Sequence, residues 1–353
     1  MSRIVAVAPA LPEHAYTQSE ITAELADLIA PASPQRAVLE RFHAASGIGR
    51  RHTVLPLERY RELGGFTEAN DIWISEGTAL AARALTAALD AVGLDPREVD
   101  YLLFTSVTGI AAPSIDARLV PLVGLRPDIK RMPSFGLGCV AGAAGLARVH
   151  DYLVGHPDEI AVLVSVELCS LTLQRDDLSV ANFVASGLFG DGAAAVVVAG
   201  ANRAEELGLP GPEILDTRAA LHPDSQSVIG WDVGGTGFRI VLSASVSETV
   251  GGGVPSEVLA LLERHALGTA DISAWIAHPG GPRVLEAFEV GLNLDSGQLA
   301  PSWRSLESVG NLSSASVLHV LADQFRQTEG ALGVVLAVGP GVTSESVLLK
   351  WVA

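Results

Sequence analysis

The strongest constraint on the fold is a spacing that occurs twice. Cys139 opens a stretch of small residues and lies 24 residues before an apolar run centred on Leu163, and Asn311 lies 24 residues before a run centred on Val335. The elements around them repeat in the same order. In the first half, apolar residues at helical spacing over residues 70–94 (Leu80, Ala81, Leu85, Ala88, Leu89), stopped by Gly93 and Pro96, predict a helix, and residues 99–105 a buried strand. In the second, residues 258–267 predict a leucine-rich helix and residues 272–278 a strand. Each half closes on a glycine turn and a last strand, at Gly190-Asp-Gly192 and at Gly339-Pro-Gly341. Two copies of one mixed α/β unit are expected, with strands buried on both faces. They divide where residues 200–224 are rich in glycine, proline and charge, giving halves of 1–205 and 206–353.

Composition sets the function classes. With 353 residues, 48% hydrophobic and 18% charged, the chain can bury a large core. Its longest apolar runs, such as 193–199, are far shorter than the roughly 18 to 20 residues of a membrane helix. The apolar segment after Met1 is too short for a secretory signal and reads as a first strand, so a cytoplasmic protein without membrane insertion is expected. A formal charge of −17 excludes a general affinity for nucleic acid or anionic membrane, and a polyanionic substrate needs a local basic patch. The two cysteines, Cys139 and Cys169, form neither a Cys-x-x-Cys pair nor part of a zinc-spaced cluster.

The chemistry concentrates at three positions. Gly138 permits a sharp turn before Cys139, and a thiol at a helix start faces unpaired N–H groups that lower its pKa. The same stretch also suits a buried contact between helices. His278 ends a strand and enters Pro279-Gly-Gly-Pro282, where loops build sites, although such a histidine also occurs as a plain loop residue. Asn311 stands at the helix entry that matches Cys139, a position that also suits an N-cap. Together they form the Cys/His/Asn set that acyl transfer through a thioester needs. The cysteine attacks, the imidazole stabilises its thiolate, and histidine and asparagine donate to a carbonyl oxygen that becomes negative.

Five markers in order, Leu137-Gly-Cys-Val-Ala-Gly142, Leu188-Phe-Gly-Asp-Gly-Ala193, His278-Pro-Gly-Gly-Pro282, Gly310-Asn-Leu-Ser-Ser-Ala315 and Gly339-Pro-Gly341, resemble the type III polyketide synthases, the chalcone and stilbene synthase superfamily. The resemblance spans nearly the whole chain. It implies the thiolase fold, five layers αβαβα from two duplicated halves, acting as a homodimer without metal or redox cofactor. It implies that Cys139 accepts an acyl group from a coenzyme A thioester, while His278 and Asn311 hold malonyl-CoA as it loses carbon dioxide. The enolate then attacks the cysteine-bound chain, over several rounds. By the same resemblance Phe189 and Phe238 line the passage between the coenzyme A tunnel and the cavity, Cys169, Thr172, Ile229 and Ser313 set cavity volume, and Ala112 replaces a methionine that reaches into the partner's cavity. Val338 replaces a phenylalanine before Gly-Pro-Gly. For the phosphates of coenzyme A the chain offers mainly Arg41, with Arg50 and Arg51 nearby and Arg283 after the Pro-Gly-Gly-Pro loop, since Val38 and Ala45 stand where lysines are expected.

The segment 231–242 most resembles the bacterial alkylresorcinol and alkylpyrone branch, which implies a medium or long fatty acyl starter, a few malonyl-CoA extensions and closure to a pyrone or resorcinol. The starter arrives on coenzyme A or on a carrier protein. A malonyl-primed synthase of the tetrahydroxynaphthalene type is the competitor within the family. Outside it stand a single-step ketoacyl synthase III, disfavoured by Pro-Gly-Gly-Pro after the histidine, a hydroxymethylglutaryl-CoA synthase, which needs a general-acid glutamate beside its cysteine, and a non-catalytic scaffold.

Overall fold

The computed structural model of the chain describes every residue except Ser33, Ser296 and Ala353. Its strands are β1 (Ser2–Ala10), β2 (His14–Thr17), β3 (Arg50–Thr53), β4 (Val99–Thr105), β5 (Lys130–Ser134), β6 (Ile160–Leu168), β7 (Asp191–Gly200), β8 (Gly211–Leu221), β9 (Ile229–Gly234), β10 (Gly237–Leu242), β11 (Ala274–Ala277), β12 (Leu332–Gly339) and β13 (Thr343–Val352). β2 with β3 and β9 with β10 form small antiparallel pairs. The other strands form one continuous ladder in the order β11-β12-β13-β8-β1-β7-β6-β4-β5.

That ladder is two sheets with the same connectivity, joined at an edge. In the first, β1 pairs antiparallel with β7, β7 antiparallel with β6, and β6 parallel with β4. In the second, β8 pairs antiparallel with β13, β13 antiparallel with β12, and β12 parallel with β11. The sheets meet only at Ser2 opposite Ile214 and Arg3 opposite Glu213. β6 and β7 are buried along their whole length, as their unbroken apolar sequences demand, because helices cover both faces.

Among the described residues the three largest apolar clusters hold five layers together. The helix Phe66–Asp90 packs its Trp73, Leu85 and Leu89 on the outer face of the first sheet. The helices Ala141–Val154 and Ser316–Asp323 fill the space between the sheets through Leu146, Val149, Leu318 and Leu321. The helices Val246–Glu263 and Pro282–Gly291 cover the second sheet with Val254, Leu261, Leu285 and Phe288. This is the αβαβα thiolase arrangement expected from the sequence. The small residues after Cys139 explain how the central layer closes, since a Cβ on Gly142 would lie 2.3 Å from the Ser314 carbonyl oxygen.

Two expectations need correction. Residues 200–224, read as the boundary between the halves, also hold regular structure that their glycine, proline and charge did not suggest, the helix Ala201–Leu207 and all of β8, which pairs with β13. The helix expected over 258–267 starts earlier, at Val246, and ends at Glu263. The helix runs through Gly251, Gly252, Gly253 and Pro255 with Val250, Val254 and Val258 buried in the third cluster.

Candidate active site

Cys139 sits in a single 3-10 turn, Gly138–Val140, that leads into the helix Ala141–Val154. Gly138 has φ +57°, and a Cβ there would come within 2.6 Å of Pro340 Cδ, so the turn is open only to glycine. Gly339 presses on the same turn, its added Cβ falling 2.7 Å from the Leu137 carbonyl oxygen. The Gly-Pro-Gly loop of the second half thereby buttresses the nucleophile of the first.

His278 follows β11, and its N–H donates to Leu336 O at 2.7 Å, extending the parallel ladder by one residue. The ring is 1% exposed, and neither Nδ1 nor Nε2 has a hydrogen-bond partner among the described residues. The ring is therefore not committed to any protein hydrogen bond among the described residues, and the residue lines the cavity described next. Asn311 is pinned more fully. Its N–H donates to Leu188 O, its carbonyl accepts from Gly190 N–H (both 2.9 Å), its Oδ1 accepts from Ser313 N–H at 2.8 Å, and its Nδ2 donates to Gly280 O at 3.2 Å. With Oδ1 and one amide hydrogen fixed, the carboxamide keeps a second N–H in a set direction.

Cys139, His278 and Asn311 all line one cavity of about 580 Å³, together with Phe189, Ile229 and Val338. The half-buried thiol donates to Ser313 Oγ at 3.6 Å. Burial pushes the Cys139 thiol up to about 12, with the Ser313 bond acting against it and Glu167 reinforcing it. The lowered pKa expected of a thiol at a helix start is thus corrected, because desolvation by burial outweighs the helix end. Burial also pushes His278 down to about 3. Each group alone is held neutral, and a proton passed from thiol to imidazole creates two opposite charges that offset each other.

The remaining positions divide. Arg41 and Arg283 are exposed and line the same cavity, which places two cations at its mouth. Arg50 is exposed, but Arg51 is buried, its Nε donating to Gln18 Oε1 at 3.0 Å and its Nη1 to Ser186 O at 2.8 Å and Phe189 O at 2.6 Å, so it is no surface contact for a phosphate. Cys169 and Thr172 line a separate chamber of about 50 Å³, and Phe189 lies on the walls of both spaces. Phe238 lines neither. It is buried against Phe66, ring centroids 5.5 Å apart edge to face, and near Trp231 at 6.0 Å. Ala112 is exposed and lines neither space.

Sequence reasoning placed Ser313 on the cavity wall, whereas the structure places its hydroxyl against the thiol. Glu167 was passed over altogether. It is fully buried, accepts from Val107 N–H at 3.1 Å, Thr108 Oγ1 at 2.9 Å and Ser314 Oγ, and its carboxyl is raised by burial. A lone carboxylate in the apolar run 160–168 was the available signal. Among the described residues no group of three or more His, Cys, Asp or Glu is arranged to hold a metal ion, and no helix is long and apolar enough to cross a membrane.

Comparison with known proteins agrees with this architecture. Residues 1–202 match the family profile "Chalcone and stilbene synthases, N-terminal domain" and residues 213–353 the corresponding C-terminal domain. A 1,3,6,8-tetrahydroxynaphthalene synthase of Streptomyces peucetius is 52% identical over 99% of this chain and 93% of its own length. The crystal structure of 1,3,6,8-tetrahydroxynaphthalene synthase from Streptomyces coelicolor, a bacterial type III polyketide synthase, superposes with a TM-score of 0.93 at 31% identity, covering 99% of both chains. An alpha-pyrone synthesis polyketide synthase-like protein of Mycobacterium tuberculosis is only 30% identical over 98% of this chain and 90% of its own length. The placement beside alkylresorcinol and alkylpyrone synthases, drawn from the short segment 231–242, is overturned by that difference in identity across the whole chain. The chain belongs to the chalcone and stilbene synthase family of condensing enzymes, the type III polyketide synthases, whose substrates are coenzyme A thioesters and whose chemistry is iterative malonyl-CoA condensation.

Proposed function

We propose that this enzyme takes malonyl-CoA as both starter and extender and closes the chain to a polyhydroxylated naphthalene. The 52% identity to a tetrahydroxynaphthalene synthase across 99% of the chain carries this reading. Cys139 loses its proton to His278 and attacks the starter thioester, and coenzyme A leaves as its thiol. A second malonyl-CoA then occupies the same cavity with its thioester oxygen toward the free N–H of His278 and the second N–H of Asn311. As the carboxylate departs as carbon dioxide, negative charge moves onto that oxygen, and the two donors stabilise it where it develops. The enolate carbon attacks the Cys139 thioester, the cysteine is released, and transfer of the longer chain back to Cys139 opens the next round.

Arg41 and Arg283 bind the phosphates of coenzyme A at the mouth, local cations on a chain of net charge −17. The first half, near residues 1–205, supplies the nucleophile, and the second, near 206–353, supplies the donors. Mass spectrometry of the products made from malonyl-CoA alone tests the reading. A naphthol formed without any added starter is expected. Turnover only when another acyl-CoA is supplied would overturn it.

A further inference from the structure

The chamber bordered by Phe189 has on its wall an arginine with one unpaired, buried nitrogen. Arg51 is 3% exposed and fully engaged on one side, through Nε to Gln18 and Nη1 to two backbone carbonyls, yet its Nη2 is buried without any hydrogen-bond partner among the described residues. Arg51 lines the chamber of about 50 Å³, with Cys169, Ser170, Thr172 and Phe189 on the same walls. It makes no salt bridge among the described residues. The nearby carboxylate, Asp191, is occupied by Val54 N–H, Ser170 N–H and the Ser170 hydroxyl. A buried guanidinium N–H left without an acceptor carries a desolvation penalty that an incoming anionic oxygen removes. Phe189 also borders the cavity of Cys139, His278 and Asn311, so the chamber adjoins the space in which the chain grows.

We infer that this chamber receives the distal, starter-derived end of the growing chain and that Arg51 Nη2 holds a carboxylate there, making Arg51 a specificity residue for a malonyl starter. The inference rests on malonyl priming as proposed above. A starter with an uncharged alkyl end offers the guanidinium no acceptor, and its entry leaves the N–H buried and unpaired. The chamber has room for a small terminal group and none for a long chain.

Competition between starters tests this. Uniformly ¹³C-labelled malonyl-CoA is supplied with unlabelled butanoyl-CoA, and the ratio of fully labelled to butanoyl-primed products is read by mass spectrometry. The extension steps are common to both products, so the ratio reports priming. Arg51→Gln is expected to lower the ratio about tenfold or more, the effect of losing a hydrogen bond to a charged group. Arg51→Lys is expected to restore part of it. Cys169→Leu, which fills the chamber while leaving the backbone bonds of Arg51 in place, is expected to lower the ratio in the same direction and decides the matter if Arg51→Gln does not fold. An unchanged ratio, or an equal fall of both products, overturns the inference and leaves Arg51 a structural clamp whose free N–H meets only water. Absence of fully labelled product from the unsubstituted enzyme would instead refute malonyl priming itself, and with it this role for Arg51.

Discussion

Cys139 and His278 are held neutral by one cause, the removal of a lone charge from water, which lifts the thiol to about 12 and depresses the imidazole to about 3. We propose that each ionises more readily when the other ionises with it, as the proton transfer proposed above requires. The thiolate fraction of Cys139 rises with pH, and in His278→Ala, where no imidazole can take the proton, the rise is expected at higher pH than in the unsubstituted enzyme. Rates of Cys139 alkylation by iodoacetamide across pH 6 to 11 measure this, and coincident profiles for the two proteins would contradict it. Asn311 contributes differently, as a donor fixed on both sides by Ser313 N–H and Gly280 O. Asn311→Ala is expected to slow malonyl-CoA decarboxylation by about 10²- to 10³-fold. Carbon dioxide release measures that loss separately from chain growth.

Among the elements, the Gly138–Val140 turn and the Gly339-Pro-Gly341 loop hold each other in place. Gly138→Ala combines a left-handed φ of +57° with a contact of 2.6 Å to Pro340 Cδ. It is expected to cost about 1 to 3 kcal/mol of stability from the backbone alone, seen as a lower midpoint in thermal unfolding, and to reduce loading of Cys139 with it. An unchanged midpoint would show that the loop yields to the added methyl. Much at this scale was legible beforehand. Val99–Thr105 forms the strand its apolar run demanded, and the equal spacing from Cys139 and Asn311 to β6 and β12 reflects two helices that fill one central layer. What was hidden depended on contacts between distant residues. β8 lay unseen within the boundary segment because its pairing is supplied by β13 and β1, and the Val246–Glu263 helix keeps its glycines and proline because the second sheet lies beneath them. Arg51 and Ser313 were read as a phosphate contact and a cavity wall. Their roles depend on which way the side chain turns, which local sequence does not encode.

At the scale of the whole molecule, the doubled sheet puts the nucleophile and its two donors on opposite halves facing one cavity, so neither half holds the set alone. The first sheet ends at β5, an edge strand whose Met132 is 53% exposed, followed by Phe135 at 50%. Lys130, Arg131 and Pro133 blunt this edge against open strand pairing, while Met132 and Phe135 leave two exposed apolar side chains among them. We propose that these two side chains meet a second copy of the chain in the homodimer that the resemblance implies; Met132→Lys is expected to lower the weight-average mass in sedimentation equilibrium, and an unchanged mass would contradict a contact there. The central claim is that malonyl-CoA supplies every carbon of the product. The most direct measurement incubates the enzyme with uniformly ¹³C-labelled malonyl-CoA in the presence of unlabelled acyl-CoAs of graded length and determines the isotopic composition of the products. The account predicts a naphthol labelled at every carbon, absent in Cys139→Ala. Products that consistently carry an unlabelled acyl block, with no fully labelled species, would contradict it.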